Sequence, residues 1–78
     1  METKDKIKDT LVKLLKIKPE ELKDGVSLQD SIGVDSTEMV EAVIALEKAF
    51  GTKLNAKEIT KFCTINDIDR VIQAKLSG

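Results

Sequence analysis

The chain has 78 residues, a length that fits one domain and lies near the lower end of what a single hydrophobic core can stabilise. Cys63 is the sole cysteine and the sequence has no histidine, which excludes an intrachain disulfide and the histidine-containing zinc patterns. The apolar residues are mainly Leu, Ile, Val and Ala, with two Phe and neither Trp nor Tyr, a composition that favours amphipathic helices over aromatic-rich strands.

The formal net charge is only -1, but the charges are distributed in three blocks. Residues 1–18 have six lysines against three acids, residues 19–47 have eight acids against Lys23, and the remainder has six basic residues against three acids. The acidic block predicts a basic protein partner and argues against nucleic acid. The charged first eight residues and the lack of a long apolar run predict a cytoplasmic protein that does not insert into a membrane.

A first helix is predicted from Thr3 to about Lys16, because its apolar residues recur at helical spacing. Pro19 stops this pattern, and a connection of about 18 residues then runs to Asp35. Connections of that length in compact domains are usually functional or disordered. We expect this one to be ordered and packed across the bundle, since it contains the apolar anchors Val26, Leu28, Ile32 and Val34.

The second helix has the clearest start signal in the chain. Asp35 followed by Glu38 is close to a capping box, so Asp35 is the predicted cap and Ser36 the first helical residue. Gly51 marks the predicted end. The apolar stripe of this helix is Met39, Val43, Leu46 and Phe50.

Two further helices are predicted after Gly51. A short one covers Ala56 to Lys61, and Thr64 with Asp67 caps a last helix. The apolar face of the last helix is Ile65, Ile68, Val71, Ile72 and Leu76. The sequence therefore predicts one all-α domain over residues 1–78, a four-helix bundle of three main helices and one short helix with a long first loop.

The segment from Ile32 to Glu41 reads Ile-Gly-Val-Asp-Ser-Thr-Glu-Met-Val-Glu and resembles the prosthetic-group site of acyl carrier proteins. The resemblance covers nearly the whole chain, including the helix end at Phe50-Gly51 and the helix start at Thr64-Ile65. It implies a carrier-protein bundle with no catalytic activity of its own. A phosphopantetheinyl transferase would move 4'-phosphopantetheine from coenzyme A to Ser36, and Asp35 would help that enzyme bind metal and substrate.

The expected geometry is consistent with this chemistry. A hydroxyl in the first turn of a helix is exposed, and a phosphodiester formed there faces unpaired N–H groups and the positive end of the helix dipole. A second Asp-Ser pair, Asp30-Ser31, is a competing candidate. We prefer Ser36, because no helical periodicity begins at Ser31 and Gly33 is a poor helix former.

Two surfaces follow from the resemblance and the helical positions. Acyl-transferring or acyl-activating enzymes with basic docking surfaces are expected to bind the second helix at Glu38, Val40, Glu41, Ile44 and Glu47. The predicted acyl pocket is lined by Val43, Leu46, Ile59, Phe62, Cys63 and Ile68.

Cys63 lacks a histidine base and follows an apolar residue, which favours a buried structural cysteine over a nucleophile.

The sequence also departs from the family pattern. Thr37 follows the serine where the family usually has leucine, Lys48 interrupts the acidic helix, and the net charge is close to zero. These departures favour a specialised carrier for lipid or secondary-metabolite biosynthesis over general fatty-acid synthesis. The chain is expected to be a monomer. Two alternatives stay open: a carrier-like adaptor that is never modified and acts only in protein binding, and a peptidyl or aminoacyl carrier.

Overall fold

The computed structural model describes residues 2–77. Its helices are α1 (Thr3–Leu15), a 3-10 turn (Pro19–Glu21), α2 (Leu28–Ile32), α3 (Ser36–Phe50) and α4 (Ile65–Ser77). The described residues contain no strand, and one isolated antiparallel bridge pairs Ser27 with Thr64. The predicted all-α fold with three main helices and one short helix is therefore confirmed.

Helix α1 is the element against which the other long helices pack. It contacts both α3 and α4, and Ile7 and Leu11 on its inner face are 0% exposed. The helix ends at Leu15, and Lys16 follows in the left-handed conformation with φ 56°. The predicted helix is thus correct to within one residue at its end.

One aliphatic core joins all the helices. No polar or charged residue is buried as a whole in the described part of the chain. Each large aliphatic side chain that leaves water contributes about 1.5–3 kcal/mol. The buried core residues are Ile7, Leu11, Leu22, Leu28, Val34, Met39, Ala42, Val43, Leu46, Leu54, Ile59, Ile65, Ile68 and Ile72.

The long connection between α1 and α3 is ordered, as predicted. Leu28 and Val34 are buried, while the other two anchors are half-buried. Its backbone is tied to the segment before α4, because Leu28 N donates to Cys63 O at 3.0 Å and Gln29 N donates to Lys61 O at 2.9 Å. These bonds place the segment before α4 beside the residues that lead into α3.

Asp24 also fixes this connection, by joining it to α1. Its carboxylate forms ion pairs with Lys8 and, at 3.6 Å, with Lys4. The hydrogen bond from Lys8 is the main cause that lowers the pKa of Asp24 below its ordinary value. One acid of the central acidic block is therefore balanced by lysines of the basic first block.

The short helix lies in a different place from the predicted one. Residues 56–61 form turns, in which Asn55 O accepts from both Glu58 N and Ile59 N but the pattern does not continue. The short helix is α2 instead, which starts with Asp30 N donating to Ser27 Oγ and ends at Gly33 with φ 67°. A serine cap and a left-handed glycine make one helical turn possible in the loop.

Candidate functional site

Helix α3 begins with a complete capping box. Asp35 has an extended backbone and its Oδ1 accepts from Glu38 N at 2.8 Å, while Asp35 N donates to Glu38 Oε1 at 3.1 Å. Ser36 is the first helical residue and is exposed. The sequence folds this way because the aspartate and glutamate satisfy two backbone N–H groups that the helix itself leaves without partners.

The surroundings of the Ser36 hydroxyl are suited to a phosphodiester. The first intrahelical bond of α3 is that from Met39 N to Asp35 O at 3.0 Å, so the N–H groups of Ser36 and Thr37 precede it. These groups and the positive end of the helix dipole favour a bound anion. The carboxylates of Asp35 and Glu38 oppose it, but each already accepts a backbone N–H.

The hydroxyl of Ser31, the competing candidate, lies in a less accessible place than Ser36. Contrary to expectation, Ser31 is helical, since it lies in α2. Its Oγ is buried, however, and finds no hydrogen-bond partner within residues 2–77. The Ser31 hydroxyl is therefore shielded in this structure, whereas Ser36 is an exposed residue.

Ser36 borders a cleft between α3 and the turns that follow Leu54. The cleft has a volume of about 310 Å³, at the small end of the range for ligand pockets. Met39 and Ile59 form its base and also belong to the core, while Val40 and Phe62 are 52% and 66% exposed. The lining residues are Ser36, Met39, Val40, Ala56, Ile59, Thr60, Lys61 and Phe62.

Two of the six predicted acyl-pocket residues, Ile59 and Phe62, line this cleft. The other four do not border it: Val43, Leu46 and Ile68 are buried in the core, and Cys63 packs partly against it, so their part in an acyl pocket stays a prediction. Helical position identified the core-facing residues but not which of them border an opening.

Two further lining residues of the cleft lie on α3, and the sequence could have indicated them. Met39 and Val40 lie three and four residues after Ser36, which is the spacing that brings side chains onto one helix face. Ala56, Thr60 and Lys61 could not be found in this way, because their place in the cleft depends on the turns after Leu54.

The five predicted docking residues differ in their accessibility. Val40, Glu41 and Ile44 are exposed on α3, as a contact surface requires. Glu38 is part of the capping box, and the half-buried Glu47 accepts from Leu54 N at 2.9 Å. The carboxylates of Glu38 and Glu47 therefore stabilise local backbone, and Glu41 is the accessible acid among them.

Cys63, expected to be a buried structural cysteine, is only partly buried. Its Sγ lies 3.6 Å from Glu58 O, to which it donates, and 3.4 Å from Thr60 N, from which it accepts. These contacts hold the turn before α4 and give the cysteine a structural role.

Comparisons with known proteins show the family to which the chain belongs. The profile of the phosphopantetheine attachment site family matches residues 5–72. The acyl carrier protein of Wolinella succinogenes is 36% identical over 69 residues, which cover 88% of this chain and 91% of that protein. The chain belongs to the acyl carrier proteins of the phosphopantetheine-attachment family.

Family membership defines the general role of the chain. It is a carrier and not a catalyst, and the prosthetic group of this family is covalently attached 4'-phosphopantetheine. Carriers of this kind are served by a phosphopantetheinyl transferase and by acyl-handling enzymes. None of the helices within residues 2–77 combines the length and the apolar character that crossing a membrane requires.

Proposed function

We propose that Ser36 carries the phosphopantetheine arm and that the arm carries acyl intermediates as thioesters. The observation that supports this assignment is the accessible Ser36 hydroxyl at the capped start of α3, beside an apolar cleft whose base is part of the core. The arm's terminal thiol supplies the thioester chemistry when the group is attached. The chain supplies the attachment point, a contact surface for partners and shelter for the cargo.

Attachment of the arm forms one bond and breaks one. Ser36 Oγ bonds to the phosphorus next to the pantetheine of coenzyme A, the pyrophosphate P–O bond breaks, and adenosine 3',5'-bisphosphate leaves. The hydroxyl proton passes to a base of the transferase. Asp35 Oδ1 accepts from Glu38 N, which keeps the carboxylate next to Ser36, where it would help the transferase to hold its metal.

Intact-mass measurement tests the assignment to Ser36. After treatment with coenzyme A and a broad-specificity transferase, the wild-type chain should gain the mass of one phosphopantetheine. Ser36→Ala should gain none, because the acceptor oxygen is absent. The matched control Ser31→Ala should gain one arm, and the proposal fails if Ser36→Ala is modified while Ser31→Ala is not.

The cleft is the proposed shelter for the first part of an acyl chain. Each methylene that leaves water contributes about 0.8 kcal/mol, so eight carbons would gain roughly 6 kcal/mol before the cost of opening the core. Val43, Leu46, Cys63 and Ile68 belong to or pack against the same core as Met39 and Ile59. A long chain that parts the cleft would reach these four residues.

We further propose that this is a specialised carrier in lipid or secondary-metabolite biosynthesis. Thr37 and Lys48 support the proposal: both are exposed on α3, where they place a polar and a positive side chain on the proposed partner surface. An aminoacyl or peptidyl cargo uses the same arm chemistry and would be recognised by the mass of the cargo. The cytoplasmic location and the monomeric state stay predictions.

A further inference from the structure

One ionisable side chain lines the cleft beside Ser36, and it is that of Lys61. Its Nζ lies over the Phe62 ring, 5.4 Å from the ring centre. The backbone of Lys61 is also fixed, because its carbonyl accepts from Gln29 N at 2.9 Å. Within residues 2–77 no carboxylate lies within ion-pair distance of its ammonium.

The proposed function places a permanent negative charge in this cleft. A phosphodiester on Ser36 Oγ stays ionised at neutral pH, and it would lie close to the carboxylates of Asp35 and Glu38. A cation on the opposite wall lowers the electrostatic cost of such a charge. Lys61 is the side chain of the cleft lining that can supply it.

We propose that Lys61 is the counter-ion of the phosphodiester on Ser36 and positions the root of the arm against the cleft. The inference rests on the proposed function of Ser36 and deepens it. Lys61 is a positioning residue: it takes part in no bond-making step. By holding the phosphodiester at the cleft, it directs the arm between α3 and the turn that contains Phe62 rather than into solvent.

Paired apo and holo samples test this role. The wild type, Lys61→Gln, Lys61→Arg and Lys57→Gln are each converted fully to the holo form, as checked by mass, and both forms are unfolded in urea. Lys57 is the matched control, since it is an exposed lysine of the same turns that does not line the cleft. The measured quantity is the ratio of the holo and apo unfolding constants for each variant.

If the ion pair forms, only Lys61→Gln should change the ratio of the holo and apo unfolding constants. Its holo-to-apo ratio of unfolding constants should exceed that of the wild type about two- to fivefold at low salt, and the difference should fade at 0.5 M NaCl. Lys61→Arg should restore the wild-type ratio, and Lys57→Gln should not change it. A purely structural role of Lys61 would instead affect the apo and holo forms equally.

Two other outcomes would overturn the inference in distinguishable ways. If holo protein forms on Ser36 but Lys61→Gln and the wild type have the same ratio, the ion pair is absent and the proposed function stands. If no arm is attached to Ser36 in any variant, both proposals are lost.

Discussion

Glu41 is the acidic side chain of α3 with the best access to a partner. The capping box uses Asp35 and Glu38, and Glu47 accepts from the backbone of Leu54, so these three carboxylates stabilise the helix and the loop after it. Glu41 is exposed between the apolar side chains of Val40 and Ile44. An acid flanked by exposed apolar groups suits a basic partner surface with an apolar centre.

Glu41→Lys should therefore slow acyl transfer from a partner enzyme. We expect a several-fold lower kcat/KM at low salt, with a smaller loss as the ionic strength rises, because salt screens exposed charges. Transfer rates measured from low to physiological salt check this. Glu20→Lys is the matched control, since Glu20 is an exposed acid on the 3-10 turn and outside α3. Equal rates for both variants at low salt would contradict the docking role of α3.

At the scale of the element, the two long helices α3 and α4 start in the same way. The reciprocal bonds at α4 join Thr64 N to Asp67 Oδ2 and Asp67 N to Thr64 Oγ1, each at 3.0 Å. The hydrogen bond from the Thr64 backbone is the main cause that lowers the pKa of Asp67 below its ordinary value of 3.8. Arg70 and the Thr64 hydroxyl lower it further, and desolvation opposes them.

This shift makes stability depend on pH in the acid range. Because the pKa of Asp67 is lower in the folded state than in the unfolded state, its contribution is full well above 3.8 and is lost as the pH falls through the lowered folded value. Asp67→Asn should reduce the free energy of unfolding at pH 7 and flatten its decline between about pH 5 and 3. Urea unfolding over this range checks the prediction. Glu20→Gln is the control: it removes an exposed acid outside the capping boxes and should leave the change of unfolding free energy with pH as in the wild type. If Asp67→Asn also changed with pH as the wild type does, the prediction would be contradicted.

The capping signals explain which elements could be predicted from the sequence. Asp35 with Glu38 and Thr64 with Asp67 act within one turn of chain, so their pattern is visible in the residues themselves. The short helix α2 also has local signals, the Ser27 cap and Gly33, but it lies within the predicted connection and contacts a distant segment as well. The bond from Leu28 N to Cys63 O is one such contact, and no local pattern indicates it.

At the scale of the whole molecule, the cleft likewise could be predicted only in part from the sequence. The start of α3 at Ser36 was predictable, and so were Ile59 and Phe62 as lining residues, but Ala56, Thr60 and Lys61 join the cleft through turns whose position depends on tertiary contacts. The predicted lining therefore selected core residues such as Val43 and Ile68. Sequence periodicity gives the buried face of a helix, whereas the edge of a cavity depends on how separate segments meet.

The stability of the molecule rests on one small aliphatic core. Leu11 on α1 is 0% exposed and belongs to that core. Leu11→Ala should cost about 2–5 kcal/mol, because it removes buried methyl groups and leaves a cavity. Proteins in general have a free energy of unfolding of only about 5–15 kcal/mol. The loss would therefore be a large part of the stability of this small domain. Leu76→Ala, at a leucine that is 52% exposed, is the control and should cost far less in the same urea titration; similar losses would contradict the description of the core.

The central claim is that Ser36 holds an acyl-bearing arm in the living cell. The most direct test is mass spectrometry of the protein isolated from its own cells, with fragmentation to locate the modified residue and ejection of the arm to weigh its cargo. The account predicts one phosphopantetheine on Ser36, with an acyl group in part of the molecules. An arm on another residue would contradict the assignment of the site, and a chain that is entirely unmodified would favour an adaptor that acts only by binding proteins.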